Sequence, residues 1–317
     1  MNLSLRSYLT GLLSLLAVNC SHPNAGAGDS DVILFTTVTG GEYTISKIRP
    51  DGSHLAPFLK TQPGRSCVFA SGNSLKSILV VLVHETNPGG EAGDYLYTYR
   101  PSSAEWKRLS VGDGYEASGV ISPNDSQIVF MLSPKEPFGK LRLWTMNLAT
   151  GELKRLTGEN REKENEWDQY AAWSPDGQEI AFIRLRRTEK GLTSTLMRVP
   201  SGGGEPIVFL GPEEGTGAFC YAPDGKRFAV VTKKGIEIIE TSKANRRLIL
   251  AWSQFPNYEF RAGGIKWSSG QNKIAYSIYN KQAGQHELWT VSVDGSDATR
   301  IYSERSVVLV LSSIVRE

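Results

Sequence analysis

The side chains that most often carry out catalysis are few and scattered in this sequence. The four histidines lie far apart along the chain, without the spacing of metal ligands: His22, His54, His84 and His286. There is no G-x-S-x-G nucleophile motif, no P-loop and no H-E-x-x-H motif. We therefore predict a protein that is not an enzyme and that has neither a metal site nor a cofactor.

Two aspartates occupy a recurring position that could also suggest calcium. Asp176 and Asp224 stand third in the tetrapeptides S-P-D-G and A-P-D-G. A calcium site needs six to eight converging oxygens, whereas each of these carboxylates stands alone in its repeat. We expect both aspartates to cap tight turns, because a short acidic side chain accepts hydrogen bonds from the backbone just after it.

These turns belong to an internal repeat. The segments W-S-P-D-G at 173–177 and Y-A-P-D-G at 221–225 are each followed by an apolar triplet, and related triplets begin at residues 33, 78, 128, 180, 228 and 274. A spacing of 45 to 52 residues is typical of propeller blades, each a four-stranded antiparallel sheet. The sequence predicts an all-β, six-bladed propeller, with an open β-sandwich as the alternative.

The first repeat lacks its innermost strand. It begins directly at Ile33-Leu34-Phe35, while an unassigned apolar segment, 307–311, stands near the end of the chain. We expect this C-terminal strand to complete the first blade, because such closure pairs edges that would otherwise be exposed.

The repeats resemble those of the TolB-like propeller family, whose signature is an apolar or aromatic residue, then S-P-D-G, then an apolar triplet. The resemblance covers roughly residues 31–313 and is strongest at 173–182 and 221–230. It implies a six-bladed propeller but does not choose a function, since related propellers include binding modules and enzymes. We expect a propeller without the α/β domain that precedes it in TolB.

The first residues have the pattern of an export signal. Arg6 precedes an apolar run over 9–18 that is too short to span a bilayer as a helix. Cleavage before Cys20 would give a lipoprotein with signal peptide 1–19 and lipidated Cys20, whereas cleavage after Ala27 would give a soluble exported protein with signal peptide 1–27. Residues 20–30 are expected to form a tether and 31–317 the propeller. We predict a periplasmic protein or an outer-membrane lipoprotein.

Net charge bears on the class of partner, and the positions of the cysteines bear on disulfide formation. The net charge of +2 is spread without a basic stripe, which is atypical of nucleic-acid binders. A lipid anchor at Cys20 is the only membrane contact that we expect. Cys67 and Cys220 belong to the second and fifth repeats, across the ring from each other, so we predict two free, buried thiols.

Loop lengths indicate the binding surface. Connections between the second and third strands of a blade, and between blades, are long in the sequence and emerge at one end of the propeller, the long-loop face. We expect long loops at 84–94, 133–140, 158–169, 185–194 and 251–262. The predicted anchors are Trp252, Phe255 and Tyr258 in one loop and Trp167 in another, since aromatic residues dominate interface hot spots. We predict a non-catalytic module that binds a protein of the cell envelope, with a propeller enzyme acting on sugar polymers or small metabolites as the alternative.

Overall fold

The computed structural model confirms a six-bladed all-β propeller that is only 3% helical. It describes residues 31–39, 42–59, 64–73, 77–86, 92–109, 114–134, 141–158, 165–260, 264–305 and 308–316. The expected signal peptide, Cys20 and the tether lie outside these residues.

Each of the first three blades is an antiparallel sheet of four strands. From the inside outward, blade 1 consists of β25 (Val308–Arg316), β1 (Asp31–Thr39), β2 (Glu42–Ile48) and β3 (Ala56–Leu59). Blade 2 consists of β4 (Arg65–Gly72), β5 (Leu79–Thr86), β6 (Ala92–Arg100) and β7 (Glu105–Arg108). Blade 3 consists of β8 (Gly114–Ile121), β9 (Gln127–Pro134), β10 (Arg142–Asn147) and β11 (Leu153–Arg155).

The other three blades follow the same order. Blade 4 consists of β12 (Glu166–Trp173), β13 (Glu179–Thr188), β14 (Gly191–Pro200) and β15 (Ile207–Leu210). Blade 5 consists of β16 (Ala218–Tyr221), β17 (Arg227–Val231), β18 (Gly235–Glu240) and β19 (Arg246–Ala251). Blade 6 has an interrupted inner strand, and consists of β20 (Tyr258–Glu259) and β21 (Ile265–Trp267), β22 (Lys273–Asn280), β23 (Gln285–Ser292) and β24 (Thr299–Glu304). Single 3₁₀ turns occur at Pro212–Glu214 and Trp252–Gln254.

The ring closes as predicted. β25 pairs antiparallel with β1, with Ile314 opposite Ile33 and Leu311 opposite Phe35. The first strands of successive blades contact each other all the way round, including β25 with both β4 and β21. The C-terminal segment therefore supplies the inner strand that the first repeat lacks.

Hydrogen bonds to an aspartate and the conformation of a glycine determine the shape of the repeated turn. In blade 4, the Asp176 carboxylate accepts hydrogen bonds from the Ser174 hydroxyl at 2.6 Å and the Gln178 backbone N–H at 3.0 Å. Gly177 takes the left-handed conformation with φ +71°, which favours glycine. Asp224 caps the blade 5 turn in the same way through the Lys226 N–H at 2.8 Å. The aspartates act in the turns as predicted.

The core lies between the blades. Six clusters of buried apolar side chains fill the six seams between neighbouring blades in the described part of the chain. Cys67 packs in the seam of blades 1 and 2 and Cys220 in that of blades 5 and 6, and neither of the two forms a disulfide. Burying apolar surface on both faces of every sheet makes the propeller a rigid support for its connections.

Candidate functional site

Three of the four predicted anchor residues lie on the connection from blade 5 to blade 6. This connection leaves β19 through the 3₁₀ turn Trp252–Gln254, where the Phe255 N–H donates to the Trp252 carbonyl at 2.9 Å. The chain then joins blade 6 as β20, where Tyr258 is opposite Asn280. Both ends of the aromatic segment are thus fixed to β-sheets.

The aromatic side chains form a group of three and a pair on the same seam. Phe255 and Tyr258 pack edge to face at a centroid distance of 5.6 Å, and Trp289 contacts them at 5.9 and 6.1 Å. Trp252 and Phe260 are 6.4 Å apart. All five side chains are partly buried against the core of the seam between blades 5 and 6, so each has an anchored part and an exposed part. We call these five residues the aromatic cluster.

The cluster contains one member that the sequence did not suggest. Trp289 comes from β23, where it is opposite Tyr276 of β22. Nothing in its local pattern distinguishes it from an ordinary strand residue. The strand pairing of blade 6 is the signal that could have found it. Tyr258 of β20 pairs with β22, and β23 is the next strand beyond β22, so side chains of β23 lie on the same seam.

A buried carboxylate fixes the polar edges of the cluster. Glu287 is fully buried and accepts hydrogen bonds from Trp289 Nε1 at 2.8 Å, Asn280 Nδ2 at 3.0 Å and Arg300 at 3.2 Å. Burial favours the neutral acid, but these hydrogen bonds outweigh it and hold the pKa of Glu287 below its usual value. Burial and the nearby carboxylate raise the pKa of Tyr258. The site therefore combines an ionised, hydrogen-bonded Glu287 with a neutral Tyr258.

Trp252 is the most firmly held of the predicted anchors. Its indole N–H donates to the Thr232 carbonyl at 2.9 Å, on the connection between β17 and β18. This bond orients the ring and satisfies its polar atom. Trp252 thus contributes to packing as well as to the surface of the cluster.

Trp167 is not part of the aromatic cluster. We expected it in a loop over 161–168, but it lies in β12, opposite Leu185 of β13. Its ring is partly buried against the cores of the two seams that flank blade 4. The expected long loop at 185–194 is also wrong: β13 and β14 continue as a hairpin joined by Glu189 and Lys190 alone. Cross-strand pairing extends the sheet through this polar sequence.

The described histidines occupy three different blades. His84 donates from Nδ1 to Asp94 at 2.8 Å, and this hydrogen bond raises the pKa of the imidazole. Glu85, next in sequence, binds instead to Arg65 at 2.7 Å.

In the described part of the chain no three His, Cys, Asp or Glu side chains form a group that could hold a metal ion. In the same part, no helix is long and apolar enough to cross a membrane.

Sequence comparison does not assign a family. No protein-family model matches the chain, and no curated protein matches it either.

Structure comparison identifies the fold. TolB from Acinetobacter baumannii superimposes with a TM-score of 0.66 at 16% identity, over 90% of this chain and 67% of that one. A protein described as TolB from Agrobacterium tumefaciens gives 0.55 at 14% identity, over 88% and 91% of the two chains. An oligogalacturonate lyase in complex with manganese gives 0.53 at 16% identity, over 88% and 75%. The chain therefore has the six-bladed TolB-like propeller fold, which is found in both TolB and a lyase.

Proposed function

We propose that this protein is an exported, non-catalytic binding module of the cell envelope that recognises a protein partner through the aromatic cluster. The observation that carries the proposal is that Phe255 and Tyr258, selected from the sequence, pack with Trp289, while Trp252 packs near Phe260 against the core of the same seam. Aromatic side chains provide much of the binding energy at protein interfaces.

The physical basis of the proposal is preorganisation. The rings are held by mutual edge-to-face contacts and by the hydrogen bonds around Glu287 and Thr232. A partner would not have to order flexible side chains, which otherwise costs about 0.5–1.5 kcal/mol for each one immobilised. The exposed parts of the rings are apolar, and their polar edges are already satisfied.

Binding is tested with a partner captured from membrane fractions by the full-length protein. Phe255→Ala should weaken binding by about thirtyfold, because losing a hot spot costs about 2 kcal/mol or more. The matched control is Trp106→Ala, which truncates a partly buried aromatic side chain on β7, where it packs on Tyr99 at 4.5 Å. If folded Phe255→Ala protein binds like wild type, or if the control weakens binding equally, the cluster is not the binding surface.

Export is a separate part of the proposal. It rests on the apolar run after Arg6, and the fold shared with TolB is compatible with it. The intact mass of the protein purified from cells should lack either residues 1–19, with a lipid adduct on Cys20, or residues 1–27. A mass that includes the whole leader would contradict export with cleavage.

An enzymatic function is the second candidate, favoured by the fold shared with oligogalacturonate lyase. A lyase of this type produces an unsaturated sugar that absorbs ultraviolet light. Incubation of the protein with oligogalacturonate and manganese should therefore produce no increase in absorbance if the binding proposal is right. A sustained increase that depends on the protein would favour the enzyme.

A further inference from the structure

A groove crosses the opposite end of the propeller, the tight-turn face, which carries the turns between first and second strands and between third and fourth strands. Its volume is about 910 Å³, near the upper end of the range of ligand pockets. It is lined by the capped turns of blades 4 and 5, by the residues that flank the β14–β15 turn and by Ser269 and Gln271 of blade 6. It shares no residue with the aromatic cluster.

The β14–β15 turn beside the groove is made of glycine. Residues 202–204 are three consecutive glycines, and Gly203 and Gly204 have φ values of +88° and +139°, a conformation that favours glycine. The turn contacts blade 3, where Lys154 Nζ donates a hydrogen bond to the Gly202 carbonyl. The groove is lined by the residues that flank this turn, Pro200 and Glu205, and not by residues 202–204.

Part of the groove wall is apolar. Pro175 and Pro223 come from the two capped turns, and Pro200 and Ile207 flank the glycine segment. Ile207 is 55% exposed, which is unusual for an isoleucine. Its side chain is available to pack against a ligand.

The charge of the groove favours a cationic ligand. Its lining carries four carboxylates, from Asp176, Glu179, Glu205 and Asp224, against the cations of Arg198 and Lys226. Arg227, which binds Asp224 and Gln271 of the lining, is a third cation beside the groove, so the carboxylates remain in excess by one. Glu179 is paired with Arg198 at 3.3 Å. Hydrogen bonds within the turn lower the pKa of Asp176, so it is ionised at neutral pH.

Three of these carboxylates make hydrogen bonds or ion pairs at the groove, whereas the fourth, Glu205, is exposed and lies within electrostatic range of Arg184. Asp224 is paired with Arg227 at 2.7 Å, while Asp176 caps its own turn. Glu205 is exposed at the edge of the groove, two residues from Ile207. An acidic and an apolar contact therefore lie side by side.

We propose that this groove binds an extended basic segment of a protein, with an apolar side chain against Ile207 and a lysine or arginine beside Glu205. This site is distinct from the aromatic cluster, so the protein has a binding surface at each end. The groove combines an exposed apolar contact at Ile207 with many polar and charged groups, and its excess of carboxylates selects the charge of the segment.

The test uses two capped eight-residue peptides, one alternating lysine and valine and the other alternating glutamate and valine, with binding to the full-length protein measured by calorimetry. The basic peptide should bind saturably, and the acidic peptide at least about tenfold more weakly. Ile207→Ser and Glu205→Lys should each weaken binding of the basic peptide by about tenfold.

Matched controls come from the β13–β14 hairpin on the long-loop face. Leu192 is 56% exposed, like Ile207, and Glu189 is exposed, like Glu205. Leu192→Ser and Glu189→Lys should leave binding of the basic peptide unchanged. The proposal is overturned if the basic peptide does not bind saturably, if the acidic peptide binds equally well, or if the control variants weaken binding as much as the groove variants do.

Discussion

Arg184→Met should destabilise the propeller far more than a surface arginine substitution does. Arg184 binds Asp168 with two hydrogen bonds, from Nε to Oδ1 at 2.7 Å and from Nη2 to Oδ2 at 3.1 Å. The Asp168 side chain is 1% exposed, whereas that of Arg184 is 25% exposed. Removing the guanidinium would leave a carboxylate buried on the inner strand of blade 4 without its counter-charge.

The burial of Asp168 determines how much the free energy of unfolding should fall. Breaking a buried ion pair by removing one partner costs about 3–5 kcal/mol, because the other charge loses its compensation. At about 2.1 cal/mol/K per residue, the unfolding entropy of residues 31–317 is about 0.6 kcal/mol/K, so the melting temperature should fall by about 5–8 °C. Calorimetric or circular-dichroism melting of wild type and variant measures this shift.

Arg186→Met is the matched control, two residues along the same strand. Its partner Glu166 is 3.6 Å away, and the Arg186 side chain is 51% exposed. Loss of such a pair should cost about 0–1 kcal/mol. The double variant Asp168→Asn, Arg184→Met should recover more than half of the loss caused by Arg184→Met alone. If Arg184→Met melts like Arg186→Met, or if the double variant recovers nothing, the buried charge is not the cause of the instability.

Three further predictions address pH, closure and the thiols. Arg246 donates hydrogen bonds to Glu214 and to the buried Glu237, and these bonds lower the pKa of both carboxyl groups from 4.5. The stability from these two pairs is present above about pH 4.5 and is lost as the pH falls below it, so the difference in unfolding free energy between wild type and Arg246→Leu should narrow in acid unfolding titrations, and a constant difference would refute the linkage. Deleting 306–317 removes β25 and should abolish the cooperative thermal transition by exposing β1, so an unchanged transition would contradict closure. Cys67 and Cys220 should both be labelled by iodoacetamide after denaturation without reductant, as located by peptide mass mapping, and protection of either would indicate a disulfide.

Much of the fold could be predicted from the sequence, because each repeat specifies a local turn and the spacing of the repeats specifies the number of blades. The aspartate and glycine of W-S-P-D-G determine a tight turn through local hydrogen bonds and a positive φ, and the apolar triplet after it forms a strand buried on both faces. The spacing of the triplets gives the number of blades. The missing inner strand of the first repeat predicts closure by the C-terminal segment, which the pairing of Phe35 with Leu311 confirms.

The site was only partly predictable, because its contacts depend on strand register and on packing between blades. The sequence points to Trp252, Phe255 and Tyr258 because several aromatic residues in one polar connection are unusual. Trp289 joins them from a neighbouring strand, which no local pattern reveals. Trp167 lies in a strand because pairing between β12 and β13 continues into a charged segment that resembles a loop. The groove is formed by turns of blades 4, 5 and 6 that come together only in the folded ring, so no local sequence pattern reveals it.

Hydrogen–deuterium exchange of the protein with and without its captured partner tests the central claim most directly. The partner should slow exchange at 252–260 and at 281–289, the connection and hairpin that carry the aromatic cluster on the long-loop face. Exchange at the capped turns 174–178 and 222–226 on the opposite face should not change. Protection of those turns with no change at 252–260 would contradict binding through the aromatic cluster.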